Sequence, residues 1–372
     1  MISYLKSINE LERMSNDELN NLMKNIFKDY DDFVESLAFS KNKLFSPPFD
    51  EYYKGTGDIL TFYQNFFKKY YEYLNTLDKD LIEAVNISVF KQLEKASGTV
   101  IQKQFSLLDD TKNICNMILD STSEYFLGQP GLAFEEMEKT LTADGCHLLN
   151  LFPVLEIETM NFYRVRKNKN DKAFKERREL FHTPFELRNK CASYRFSIAG
   201  YPSLYLAGSL DTALKETEIH DNDYTSICYK TSGKILKCAD LTLPARQLNF
   251  WEKYSLVVFY PLIVACSLKV KDEKVPFKPE YIIPQLLFQV LKLHSHHDGI
   301  CYVSTKYNPI SFTNHKQKNF AFYVNNATKE SGFSNVLSEK LLWSELFSPT
   351  NSETTEELEQ KCVNSSFEKI EL

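Results

Sequence analysis

The chain lacks the features that would place it on a nucleic acid, in a membrane or outside a cell. Lysine and arginine number 44 against 50 aspartate and glutamate, a formal charge of −6. A binder of phosphate backbones carries a clustered basic excess, so no nucleic-acid partner is expected. The longest apolar run, Leu256 to Leu268, is interrupted by Pro261 and is too short for a spanning helix, so no membrane association is expected. The opening residues MISYLKSINELERM put Glu10 and Glu12 where an export signal needs an uninterrupted apolar stretch, and a cytoplasmic location is expected. None of the eight cysteines forms a CxxC pair, and several, such as Cys266 and Cys301, sit inside apolar runs. They read as reduced, buried thiols rather than disulfides or zinc ligands. No internal repeat is visible.

What is present is ample core-forming material: 372 residues, 43% of them hydrophobic. Residues 1–155 read as helical. Ser15-Asn16-Asp17-Glu18 fits a capping box, and Leu19, Leu22, Met23, Ile26, Phe27, Tyr30 and Phe33 follow at helical spacing. Further helices are predicted over 62–73, over 81–93 and around Ile114 and Ile118, with breaks at Gly128-Gln129-Pro130-Gly131 and Phe152-Pro153. Beyond 155 the texture changes to short β-rich runs at 162–166, 203–207, 226–230, 234–241 and 301–305. One helix opens at Ser209 and another runs from Pro284 to His294. This predicts an α+β chain in three parts: a helical domain at 1–155, a mixed domain at 156–345, and a flexible acidic tail at 346–372.

Polar residues gather in three stretches of the second part. Phe162-Tyr163-Arg164-Val165-Arg166 alternates, placing Arg164 and Arg166 on one face of a strand and Tyr163 on the other. From Ser193 to Glu216, Arg195 precedes a Gly-Tyr-Pro turn, a short strand carries Tyr205, and a serine-opened helix carries Glu216. The third stretch joins the helix around Gln285 to a strand ending at Ser304. A guanidinium can hold a pyrophosphate bidentately, a tyrosine can stack on a flat ring, and a carboxylate can bind ribose hydroxyls or steady a sugar cation. The run His294-Ser295-His296-His297-Asp298 has the wrong order for a metal motif, so no metal is expected. Cys191 with His182 lacks the third group a thiol nucleophile needs.

Phe181-His182-Thr183-Pro184-Phe185-Glu186, Arg195-Phe196-Ser197, Tyr205-Leu206 and Glu216 together resemble the RES family. So do the later Pro261 to Ser267, Ile283-Pro284-Gln285 and Gly299-Ile300-Cys301-Tyr302-Val303-Ser304, in the family's order over about 160 residues. The resemblance implies an ADP-ribosyltransferase-like core and an enzyme that destroys NAD by hydrolysis or by phosphorolysis, as a toxin or defence effector. It makes Arg195, Glu216 and Ser304 catalytic and implies that Tyr163, Arg164, Arg195, Tyr205 and Gln285 bind NAD. Ser304 fits the Gly-Ile-x-Tyr pattern, while members with a serine just before the helix find Tyr281-Ile282-Ile283 here, so the third position stays open. Inorganic phosphate as co-substrate would need a further cation, for which Arg166 is the candidate. ADP-ribosyl transfer to a macromolecule and silent NAD binding remain alternatives. A cognate antitoxin and self-association are the partners implied. For residues 1–155 two roles stay open, a brake on the activity or a structural platform.

Overall fold

The computed structural model describes residues 15, 28–38, 53, 55, 57–97, 105–168, 172–242, 248–307, 315–325, 332–350 and 353–372, with the side chains of 91–97 and 143–147 left aside. Apart from Ser15, the capping box expected at 15–18 and the apolar positions after it up to Phe27 lie outside these residues.

The first half is helical: α1 (Lys28–Ala38), α2 (Ile59–Leu74), α3 (Lys79–Ser97), α4 (Leu107–Phe126) and α5 (Pro130–Asn150). Side chains start them where the sequence provides acceptors. Asp58 accepts from the Thr61 amide at 2.9 Å to cap α2, and Ser106 accepts from the Asp109 amide at 3.2 Å to cap α4. Pro130 opens α5, where a missing N–H is harmless.

Among the described residues the second half builds a mixed sheet of nine strands from β1 (Val154–Ile157), β2 (Asn161–Lys167), β3 (Ser203–Ala207), β4 (Tyr224–Thr231), β5 (Leu236–Asp240), β6 (Gly299–Val303), β7 (Lys318–Tyr323), β8 (Leu341–Phe347) and β9 (Glu368–Lys369). Their order is β1-β5-β6-β7-β3-β2-β4-β8-β9, with β5 and β6 parallel and the other neighbours antiparallel. Helices α6 (Leu210–Thr217), α7 (Phe250–Ser267), α8 (Ile282–His294), α9 (Asn335–Lys340) and α10 (Thr355–Val363) join them. The α+β expectation holds.

Strand alternation sorts the core into faces. Ile300, Tyr302, Ala321 and Tyr323 point to one face, where they share a single cluster with α2, α4, α5, α7 and α8. Cys301, Phe320, Phe322, Leu204 and Leu206 pack on the other face. A third cluster joins Tyr163, Val165 and Ala207 to α6 and α10. Among the described residues the helical first half shares one core with α7 and α8 of the second half, across the division expected near 155.

Helix α7 is the apolar run of the sequence, buried on nearly every side from Tyr254 to Ser267. Pro261 within it cannot donate to the carbonyl of Val257 four residues back. The Tyr70 hydroxyl of α2 donates to that carbonyl instead, at 2.7 Å, so the helix continues through the proline.

The tail is a correction. Residues 353–372 are folded, with Thr354 and Glu357 forming a capping box for α10, Leu358 and Cys362 buried, and β9 paired with β8. Acidic composition masked the amphipathic turn: Thr354-Thr355-Glu356-Glu357 is a helix-start signal, and Leu358 and Cys362 stand four residues apart on one face.

Candidate functional site

Strands β2 and β3 share the single register pair Tyr163↔Ala207 before they part. A cavity of about 500 Å³ opens at that parting, lined by Tyr163, Arg164 and Val165 of β2 and Tyr205, Leu206 and Ala207 of β3. Its remaining wall comes from Tyr194 and Arg195, the end of α6, Glu273, Tyr281, Tyr302, Thr305, Lys306 and Asn319. It is therefore bounded by both halves of the sheet and by the segment between α7 and α8.

Helix α6 aims Glu216 into this space, and its start is fixed at several points. Ser209 accepts from the Thr212 amide at 3.2 Å and donates to the Lys316 carbonyl at 3.0 Å. Glu359 of α10 accepts from the Leu210 amide at 3.1 Å, a carboxylate at the positive end of the helix. Gly208 is required at the strand-to-helix turn, because a Cβ there would stand 2.4 Å from the His315 carbonyl oxygen. At the other end of α6 the Glu216 Oε1 accepts two hydrogen bonds, from Ser304 Oγ at 2.5 Å and from Asn319 Nδ2 at 2.6 Å. Both donors are buried. Committing one oxygen to two donors fixes the carboxylate plane and leaves Oε2 free of that task. Tyr302 stands beside it, its phenol pushed up first by burial and then by the Glu216 charge.

Arg195 is buried at 7% exposure and held on two sides. Its Nη1 donates to the Cys266 carbonyl at the end of α7, at 3.1 Å, and its guanidinium lies 5.2 Å from the centre of the Tyr281 ring. Tyr205 locks the turn that carries it: the Tyr205 hydroxyl accepts from the Phe196 amide at 3.0 Å and donates to Ser197 Oγ at 3.2 Å. Arg164 donates to the Tyr205 carbonyl at 3.3 Å. Burial, and after it the charge of Arg166, pushes the Arg164 guanidinium down to about 10, so it is still a cation at neutral pH.

The structure thus brings Tyr163, Arg164, Arg195, Tyr205 and Glu216 to one cavity. Ser304 is wholly buried, outside the wall, and touches the site by its hydrogen bond to Glu216. Gln285, expected to touch the ligand, is not in the wall. Its Nε2 donates to Ser193 Oγ at 2.7 Å and to the carbonyls of Tyr194 and Ser197 at 2.8 and 3.2 Å, so α8 braces the Arg195 turn from behind. Arg166, the candidate phosphate contact, is also outside the wall. Asn319, Tyr281 and the charged group of Lys306, Glu218 and Glu273 were given no role by the sequence. Asn319 lies in β7, where no alternation marks it.

The other polar motifs resolve as structural. His182 is buried; its Nδ1 donates to the Thr183 carbonyl at 2.9 Å and its Nε2 accepts from the Ser334 amide at 2.9 Å, which leaves nothing to activate a thiol. His294 pairs with Glu138 at 2.6 Å, and Asp298 accepts from Lys340 at 2.7 and 2.8 Å. Among the described residues no group of three or more side chains is placed to hold a metal, the described cysteines are free, and no helix is long and apolar enough to cross a membrane.

Comparison with known proteins agrees with the motifs. The RES domain family model matches residues 161–332. YopC of Bacillus subtilis (strain 168), named as a candidate toxin, is 29% identical over 309 residues, 77% of this chain and 64% of that protein. The chain therefore spans less than two thirds of that relative's length. No solved structure matches. The parted strands, the two guanidiniums that line the cavity and the braced carboxylate all lie within the matched span, and the chain carries a RES domain at residues 161–332.

Proposed function

We propose that this site cleaves the bond between nicotinamide and ribose in NAD, and that the protein acts as an NAD-depleting toxin. The observation that supports it is the meeting of Arg164, Arg195 and Glu216 in one cavity whose walls are otherwise rich in tyrosine. Two guanidiniums suit a diphosphate, and tyrosine faces suit the flat rings at either end of a dinucleotide. When the C–N bond breaks, its electron pair goes to the ring nitrogen, nicotinamide leaves neutral, and positive charge develops on the ribose. A carboxylate already fixed by two donors stabilises that charge without reorganising, which is how a preorganised site lowers a barrier. The name of the Bacillus relative, a candidate toxin, is in keeping with such an activity. A regulatory partner that restrains the activity, such as an antitoxin, belongs to the same proposal.

The test is to incubate purified protein with NAD and quantify free nicotinamide. Release by the wild type that falls by orders of magnitude in Glu216→Gln, with the fold intact by circular dichroism, is the expected result. A wild type that releases none removes the proposal.

A further inference from the structure

The charges of the cavity wall bear on which molecule accepts the ribose once nicotinamide has gone. Among the described residues that line it, the cations are Arg164, Arg195 and Lys306 and the carboxylates are Glu216, Glu218 and Glu273. The two sets balance before any ligand enters. A dinucleotide diphosphate held by the two arginines brings more negative charge with it than the single positive charge that passes to the ribose as nicotinamide leaves neutral. The wall then offers a second anion a net negative surface. Lys306 is the cation left over, and it is already bracketed: its Nζ donates to Glu218 Oε1 at 2.8 Å and to Glu273 Oε1 at 3.0 Å. Lys278 reaches Glu273 from the far side at 3.0 Å. Burial acts to raise the Glu273 carboxyl, yet the hydrogen bonds from Lys306 and Lys278 hold it below its ordinary range, so it is ionised at neutral pH. Arg166 lies outside the wall, so phosphate held by it would lie outside the cavity.

From this bracketing we infer that the acceptor is water and that the enzyme is a hydrolase rather than a phosphorylase, with Glu218 and Glu273 as the residues that set the choice by neutralising Lys306. The inference rests on the proposed cleavage of NAD. In the step, a water oxygen bonds to the ribose carbon as the bond to nicotinamide breaks. The water gives up one proton, which the Glu216 carboxylate on the wall can accept, and the products are ADP-ribose, nicotinamide and that proton. In phosphorolysis a phosphate oxygen would form the same bond, giving ADP-ribose phosphorylated on that carbon.

The experiment compares the full-length wild type with a Glu218→Gln, Glu273→Gln double variant, each given NAD with and without millimolar inorganic phosphate at constant ionic strength. Nicotinamide is quantified and the ADP-ribose product is identified by mass spectrometry. The wild type is expected to release nicotinamide equally well in both conditions and to yield ADP-ribose. The double variant, with Lys306 released to meet an anion, is expected to be stimulated by phosphate and to yield phosphorylated ADP-ribose as well. Wild-type release that depends on phosphate, or a phosphorylated product from the wild type, overturns the inference while leaving NAD cleavage standing. A double variant as indifferent to phosphate as the wild type overturns the role of the two glutamates. A wild type that releases no nicotinamide removes the proposed function and this inference with it.

Discussion

Glu216 illustrates how a single side chain becomes specialised by its supports. Ser304 and Asn319 donate to the same oxygen, so removing either withdraws one charge-assisted hydrogen bond, worth about 1.5–3 kcal/mol. If the site cleaves NAD as proposed, Asn319→Leu is expected to lower kcat by about tenfold to a hundredfold with little change in KM, because the lost bond orients the group proposed to act on the transition state. A change confined to KM would mean that Asn319 contacts the ligand instead of the carboxylate. The sequence displayed Arg164, Arg195, Tyr205 and Glu216 because each sits in a stretch with its own turn or alternation. It concealed Asn319, since β7 is buried on both faces from Lys318 to Tyr323 and offers no period-two pattern to read. Gln285 was visible but assigned to the ligand, because nothing in a linear chain distinguishes a residue that touches a cavity from one that braces the turn beside it.

His182 makes the second argument at this scale. Burial is the main cause that pushes its imidazole down to about 4, with Arg164 adding to it against the hydrogen bond at Thr183. The unfolded ring takes up its proton near pH 6.5, so between about pH 6.5 and 4 the unfolded chain binds one more proton than the folded one. The stability tied to the neutral ring is fully present above that range and is lost as pH falls through it, to a total of about 3 kcal/mol. Urea unfolding followed from pH 7 down to 5 should show about 2 kcal/mol of this loss, and His182→Gln should flatten the slope by about one proton. An unchanged slope in the variant would show that the ring does not titrate as its burial implies.

At the level of elements, periodicity was a good guide wherever one side of a helix or strand differs from the other. Helices α2 and α4 and strands β2 and β3 were legible for that reason. Helix α7 was not, because a helix buried all round has no polar face to set a period, and Pro261 reads as an interruption. Its continuity depends on a contact no local pattern can show, the Tyr70 hydroxyl on the Val257 carbonyl. Tyr70→Phe keeps the ring and orphans that carbonyl, at an expected loss of about 1–3 kcal/mol. A variant with wild-type stability in chemical denaturation would mean that the carbonyl finds another donor. Because the last turn of α7 carries Cys266, whose carbonyl holds Arg195, the same variant should also loosen the site.

For the molecule as a whole, the shared core favours the platform over the brake as the role of the helical half, and a truncation tests the choice. Helices α7 and α8 supply the Arg195 anchor at Cys266 and the Gln285 brace, and Tyr281, just before α8, sets its ring beneath the guanidinium. The opposite sides of those helices are buried against α2, α4 and α5 in one continuous cluster. A second tie joins the halves: the Tyr53 hydroxyl donates to Glu280 Oε1 at 2.8 Å, and the Lys271 amide donates to the same oxygen at 3.1 Å. That tie lies in the connector that carries Glu273 and Tyr281 to the cavity wall. Removing residues 1–150 would uncover the apolar sides of α7 and α8, a surface of the kind that drives aggregation, and would free the elements that hold Arg195. The truncated chain is accordingly expected to be insoluble or molten, without NAD cleavage and without toxicity when expressed. A brake would behave oppositely, since its removal leaves the catalytic core intact. A soluble truncation more toxic than the full chain, with a cooperative unfolding transition, would therefore refute the platform and make the helical half a regulator.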